Sequence, residues 1–318
     1  MAKNGQEDTM RDTYATDDLR TETAVTPARL SKLGMRHSIR PRRTLPARAR
    51  SQVAEQAPER EEEAPLILTE EVKAKHSYMP QPDMPRWHEL AMVQAGSRRS
   101  RGAAIPVVDA DRDSASVRAF DLLRTRLRQT TQEHGWTNIA ITAPTSGCGN
   151  TFTAVNLALS LSRIADSRTV LMDFNLRDPG VAKAFDITPR GSMQDFLAGR
   201  TAIGDHMVRV SETLALGLND APDHHSSETL LETETARTLE RMRAAIQPEL
   251  VIYDMPAMLA HDDVSAFLPQ LDGVLLVSDG TQTMGRDLME CERMLDGQVP
   301  LLGVVLNRAR ADSVAQYA

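Results

Sequence analysis

Gly147, Cys148, Gly149, Asn150 and Thr151 follow one another inside the stretch IAITAPTSGCGNTFTAVNLALSLSR. Two glycines one residue apart, then a hydroxyl side chain at a helix start, are the parts of a loop that closes around phosphate. The glycines let the backbone come close, backbone N–H groups face the anion, and the threonine hydroxyl is placed to meet a magnesium ion. Such loops carry a lysine where this chain has Asn150. At about 4 Å and an effective dielectric near 20, a lysine ammonium would contribute roughly 4 kcal/mol against a phosphate charge. An amide donates a hydrogen bond but brings no charge, so the sequence predicts a nucleotide cradle with reduced leverage for phosphoryl transfer. The plainer alternative is a strand, a turn and a helix with no ligand.

Three strand ends supply the other candidates. Asp173 lies at the end of RTVLMDF (168–174), two residues before Asn175 and four before Arg177; Asp254 ends LVIYD (250–254), and Asn307 ends LLGVVLN (301–307). In open α/β sheets ligands sit at the carboxyl ends of the strands. A carboxylate there, beside a phosphate loop, is suited to hold magnesium directly or through water. Thr151, Asp173 and Asp254 are therefore the predicted metal set, and ATP or ADP with Mg2+ the predicted ligand. Either acid taken singly is equally a helix cap. Arg177 is the nearest cation that could stand in for the missing lysine, and Lys183 is the single lysine beyond residue 105.

These residues need a frame, and the hydrophobic pattern provides one. Ile139 to Thr142 is a short β-branched run, and Thr151 to Ser162 repeats Val155, Leu157, Leu159 and Leu161 along a helix. Ahead of them, SASVRAFDLLRTRLRQT places Val117, Phe120, Leu123 and Leu127 in one helical stripe. Further strands are predicted at 168–174, 213–218, 250–254, 273–278 and 301–307, with helices at 191–197, 229–246, 262–269 and 284–296. The strands are apolar on both faces and alternate with helices. That pattern specifies an α/β fold, a mostly parallel twisted sheet with helices on both faces.

The chain has 318 residues and a net charge of -7. Residues 1–105 are rich in Arg, Pro, Glu, Ser and Thr without sustained apolar periodicity and read as a long disordered arm. Residues 106–318 read as the folded domain and carry the acidic excess, which argues against nucleic acid as a partner. Within the arm, residues 23–54 contain no acid but do contain Arg29, Lys32, Arg36, Arg40, Arg42, Arg43, Arg48 and Arg50. That run suits an anionic membrane surface, at about 1 kcal/mol per basic residue, or is a solvated charge run. Residues 86–95, RWHELAMVQA, predict a short amphipathic helix with Trp87, Leu90 and Ala91 on one side, docked on the domain or on a partner. No apolar run reaches membrane-span length, and the N-terminus has no signal peptide, so a cytoplasmic protein is expected, peripheral to the membrane at most. The two cysteines, Cys148 and Cys291, form no disulfide framework or metal spacing. Cys148, beside a helix N-terminus, is placed for a lowered thiol pKa or is a small filler.

From about residue 114 to 310 the chain resembles the cytoplasmic domain of the bacterial tyrosine kinases that work with capsule and exopolysaccharide co-polymerases, relatives of the septum-positioning and partition ATPases. The resemblance is carried by LLRTRLRQ, AVNLALSLS, VLMDFNLRDPGVAKAF, LLETETARTLERMRAAIQPELVIYDMPA and LDGVLLVSDG leading to LLGVVLNRAR. It implies that Gly147, Gly149 and Thr151 belong to the first nucleotide motif, Asp173 to the second and Asp254 to the third. It further implies that Asn307 reads the adenine edge, that Asp263 is a further family acid, and that the partner is a membrane polysaccharide co-polymerase. The departures fall where catalysis would be: the lysine is Asn150, the second acid of the paired-acid motif is Asn175, and the loop position usually held by Glu is Cys148. An amide cannot take up a proton as a base. The family's Glu-x-x-Arg pattern of ring assembly falls on Arg118 and Asp121 with the signs exchanged, which predicts a self-complementary contact in a homo-oligomer, or is a plain solvated helix face. The family's tyrosine-rich tail is also missing, since the four tyrosines are Tyr14, Tyr78, Tyr253 and Tyr317.

Three functions are consistent with this pattern. One is a nucleotide-binding regulator of a membrane co-polymerase with weakened or absent catalysis. Another is an active tyrosine autokinase in which Arg177 or Lys183 replaces the missing charge. The third is a partition-type ATPase.

Overall fold

A computed structural model describes residues 24–26, 84–95 and 114–309. The elements ahead of the phosphate loop are β1 (Ala24–Thr26), a 3-10 turn (Trp87–Glu89), β2 (Ala91–Met92), α1 (Ala115–His134) and β3 (Asn138–Thr142). After it come α2 (Asn150–Leu161), β4 (Thr169–Asp173), α3 (Val181–Phe185), α4 (Met193–Leu197), α5 (Ile203–His206), β5 (Met207–Arg209) and β6 (Leu214–Gly217). The chain continues through α6 (Ser226–Leu231), α7 (Thr233–Ile246), β7 (Leu250–Asp254), α8 (Asp263–Phe267), β8 (Gly273–Asp279), α9 (Gly285–Leu295) and β9 (Leu301–Asn307).

Among the described residues nine strands form one sheet in the order β1-β9-β8-β3-β7-β4-β6-β5-β2. The run from β9 to β6 is parallel throughout, while β1 and β5 lie antiparallel to their inner neighbours. Alternation along each strand sends side chains to two cores. Ile139 and Ile141 of β3 pack with Phe120, Leu123 and Leu127 of α1 and Leu157 and Leu161 of α2. Ala140, on the opposite face, belongs with Met193, Phe196, Leu239, Met242 and Phe267. Helices therefore cover both faces, and each fully buried Leu or Phe contributes roughly 1.5–3 kcal/mol. The predicted fold class is the observed one.

Several boundaries differ from the pattern-based expectation. The predicted helix 229–246 is two helices, because Glu232 adopts an extended ψ of 136°. Its first part, α6, packs on α8, whereas α7 supplies Leu239 and Met242 to the sheet core. β5 was not anticipated; three residues directly after a one-turn helix are too short for periodicity to register.

Residues 86–95, expected as an amphipathic helix, form the 3-10 turn and β2. The Trp87 indole donates to the Glu212 carbonyl (2.8 Å), and the Val93 N–H to the Arg209 carbonyl (2.8 Å). The buried Arg209 guanidinium reaches the Leu90 (3.2 Å) and His88 (3.0 Å) carbonyls. Ten residues gain little as an isolated helix; here the backbone is satisfied by an open sheet edge instead. This piece of the predicted arm is thus part of the folded unit. The basic run 29–50, the predicted boundary at 105, and Tyr14, Tyr78 and Tyr317 lie outside the described residues. Among the described residues no helix is long and apolar enough to cross a membrane.

Candidate functional site

β3 delivers the chain into the loop 143–149, and the base of that loop is stitched to the segment after β7. The Thr142 hydroxyl donates to the Pro256 carbonyl (2.6 Å), and the Met258 and Leu259 N–H groups donate to the Ala143 and Pro144 carbonyls (2.8 and 3.1 Å). Gly147 and Gly149 have φ of 82° and 93°, in the left-handed region that favours glycine. Gly149 caps α2, whose first turn starts at Asn150 and Thr151. The loop is therefore aimed along the positive end of a twelve-residue helix.

Asp173 and Asp254 are register partners at the ends of the parallel strands β4 and β7, and both are fully buried. One Asp173 oxygen accepts the Val181 N–H at 3.0 Å. One Asp254 oxygen accepts the Asn150 amide at 3.2 Å, and Asp254 also receives the Thr151 hydroxyl. The remaining oxygens, Asp173 Oδ1 and Asp254 Oδ2, have no partner. Burial pushes the Asp254 carboxyl up to about 7. Burial, and then the charge of Asp254, raises Asp173 well above the carboxylate range. Two buried orphan carboxylate oxygens beside a threonine hydroxyl are hard donors of the kind magnesium takes, so the predicted metal set is brought together and fits that ion.

Asn150 lies in the lysine position but is folded inward. Its amide nitrogen donates to the Met255 carbonyl (2.7 Å) as well as to Asp254 (3.2 Å), and the residue is buried. Both amide hydrogens are committed to the end of β7. Arg177 is held elsewhere: Nε donates to Asp263 Oδ2 at 2.9 Å and a terminal nitrogen to the His224 carbonyl at 3.2 Å. Asp263 is itself buried and also receives the Ser226 hydroxyl. Lys183 is exposed on α3.

Asn307 faces the phosphate loop. Its amide donates to the Cys148 carbonyl (2.9 Å), and its oxygen accepts the Arg308 N–H (3.0 Å). A Cβ on Gly149 would collide with the Asn307 amide nitrogen and displace it, which adds to the demand for glycine that the φ of 93° already makes. Arg308, which pattern reading passed over, donates to the Gly147 carbonyl (2.9 Å) and pairs with Asp279 Oδ2 (2.5 Å). The signal was its place directly after a strand-end asparagine. Cys148 is fully buried, with Sγ near the hydroxyls of Thr145 (3.4 Å) and Thr283 (3.5 Å). On α1, Asp121 finds its partners within the same chain, at Arg124 (2.9 Å), Ser160 (2.7 Å) and Arg163 (3.4 Å). This cluster ties α1 to α2 through one oxygen of the Asp121 carboxylate.

No family model matches the chain. It is 29% identical over 188 residues to the succinoglycan biosynthesis transport protein ExoP of Rhizobium meliloti (strain 1021), covering 57% of this chain and 23% of that one. It is 28% identical over 200 residues to the putative tyrosine-protein kinase EpsB of Ralstonia solanacearum, covering 61% and 26%. The chain thus spans about a quarter of the length of these curated relatives. Among solved structures, the kinase domain of the Escherichia coli tyrosine kinase ETK superposes with a TM-score of 0.57 at 22% identity, covering 68% of this chain and 87% of that domain. This likeness establishes the fold. In sequence the chain is thus similar to a succinoglycan transport protein and a putative bacterial tyrosine kinase, and it shares the fold of a bacterial tyrosine-kinase domain.

Proposed function

We propose that the protein is a nucleotide-binding regulator of exopolysaccharide or capsule assembly that has lost most of its phosphoryl-transfer power. It would act on a membrane polysaccharide co-polymerase from the cytoplasmic face. The observation that carries this reading is the fate of Asn150: a neutral amide stands in the lysine position and is turned back onto Asp254 and Met255. Arg177, the nearest substitute, is committed to Asp263. The loop, Thr151, Asp173 and Asp254 retain what is needed to hold ATP or ADP with Mg2+. A bound magnesium ion would neutralise phosphate charge, and Asp173, Asp254 and Thr151 are the side chains that would hold it.

Transfer to a tyrosine also requires a base and an acceptor. Asn175 offers no carboxylate at the position where the resemblance places one. Tyr253 is fully buried, with its hydroxyl donating to Asn138 Oδ1 at 3.2 Å. The test is incubation of the purified chain with Mg2+ and labelled ATP beside an Asn150→Lys variant, with nucleotide binding followed in parallel. Binding without phosphotyrosine is expected for the wild type. Robust phosphotyrosine on it would overturn the regulatory reading in favour of an active autokinase.

A further inference from the structure

We infer that Asn307 and Arg308 are positioning residues that aim the backbone N–H groups of the phosphate loop. They thereby supply part of the anion grip in a site without its lysine. The inference rests on the nucleotide reading above for its ligand, but on geometry alone for its mechanism. Two consecutive loop carbonyls are pinned from outside by two consecutive residues leaving β9: Gly147 O by the Arg308 guanidinium and Cys148 O by the Asn307 amide, both at 2.9 Å. In a planar trans peptide the carbonyl and the following N–H point in opposite directions. Drawing the 147 and 148 carbonyls toward β9 therefore turns the Cys148 and Gly149 N–H groups away from it. Neither N–H makes a well-aligned backbone hydrogen bond among the described residues. Successive N–H groups turned outward at the start of a helix make an anion nest.

The two pins are themselves held firmly. The Arg308 guanidinium is anchored by Asp279, which is buried at the end of β8 and also accepts the Thr281 N–H (2.7 Å). Arg308 takes a φ of 51°, and Gly280 runs so close beneath it that a Cβ there would stand 3.0 Å from the Arg308 carbonyl. The Gly280 N–H donates to the Asn307 carbonyl at 2.8 Å. β8, β9 and the phosphate loop are thus keyed into one unit. In this arrangement Asn307 acts on the loop, beside the adenine-reading role that the resemblance implies for it.

The experiment compares wild type with Arg308→Ala, Arg308→Lys and Asn307→Ala. It measures Mg-ADP affinity by calorimetry, and hydrogen exchange at the Cys148 and Gly149 amides in ligand-free protein. Circular dichroism checks folding, and Arg308→Lys, which keeps a donor, remains interpretable if an alanine variant is lost. Expected are an affinity loss of about tenfold or more in the alanine variants, faster exchange at those two amides, and partial recovery of both with lysine. Unchanged affinity and exchange would overturn the inference. A fall in affinity with unchanged exchange would overturn it too, since Arg308 would then act by its charge on the ligand directly. Faster exchange in variants of a chain whose wild type binds no Mg-ADP would uphold the positioning role while overturning the nucleotide reading.

Discussion

The Asn150 side chain donates a hydrogen bond to Asp254 at 3.2 Å, joining the residue in the lysine position to the strand-end carboxylate that would face the metal. A neutral donor on a buried acid satisfies one oxygen and leaves the charge uncompensated. The cradle therefore holds two buried acids, while Arg177 and Arg308 are engaged with Asp263 and Asp279.

Restoring the ammonium should change how nucleotide binds. Asn150→Lys is expected to tighten ATP binding by about a hundredfold, with the larger gain when magnesium is chelated, because no metal ion then shares the phosphate charge. Calorimetric titration with and without chelator checks this. Equal affinities for the two proteins in chelator would show that position 150 does not limit binding.

Asp254 should make the ligand-free protein less stable in alkali. Its carboxyl rises from 3.8 to about 7 on burial, so the folded state holds a proton that the unfolded chain has released. That contribution is complete below 3.8 and is lost as pH rises through 7. Asp254→Asn should therefore be more stable than wild type at about pH 8, by on the order of 2 kcal/mol, with the gap closing toward acid. The same variant should lose magnesium-dependent nucleotide binding. Thermal melts across pH measure the first effect and titrations the second.

Arg177 is expected to matter for stability more than for affinity. Removing it leaves Asp263, 1% exposed, with the Ser226 hydroxyl and no adjacent guanidinium. Arg177→Ala should cost about 3 kcal/mol in urea unfolding and change Mg-ADP affinity less than threefold, as estimated from its engagement away from the loop. A large affinity loss with intact stability would return Arg177 to the phosphate site.

Gly149→Ala should damage the site through packing. The added methyl would collide with the Asn307 amide nitrogen, on a backbone with φ of 93°. A destabilisation of about 2 kcal/mol or more is expected, together with loss of the Asn307 contact to Cys148, visible as altered loop amide shifts in NMR spectra.

His206 gives the fold an acid limit unconnected with the nucleotide site. It is 1% exposed, stacks on Phe196 at 4.4 Å, and has no partner on either ring nitrogen. Burial lowers its pKa from 6.5 to about 4, so the unfolded chain gains a proton first as pH falls. Stability present above 6.5 should be lost progressively down to 4, by about 3 kcal/mol in all. His206→Phe should flatten that decline, as read from denaturant midpoints against pH.

The fold and most of the site were written locally. Apolar strands alternating with helical stripes specify a covered parallel sheet, because only that layering buries both faces of each strand. Gly147, Gly149 and Thr151 are legible because a phosphate loop needs those residue types at fixed spacing, and Asp173 and Asp254 because each sits one step past an apolar run. Their register pairing depended on β4 and β7 becoming neighbours, which no local pattern encodes. The same holds for His88 and Arg209, 121 positions apart in number and hydrogen-bonded only when residues 86–92 complete a sheet edge. Above all, tertiary structure decided where side chains spend their hydrogen bonds: Asn150 on β7, Arg177 on Asp263, and Asn307 with Arg308 on the loop carbonyls. Composition names a donor, but its acceptor is whichever distant group the packing brings within about 3 Å.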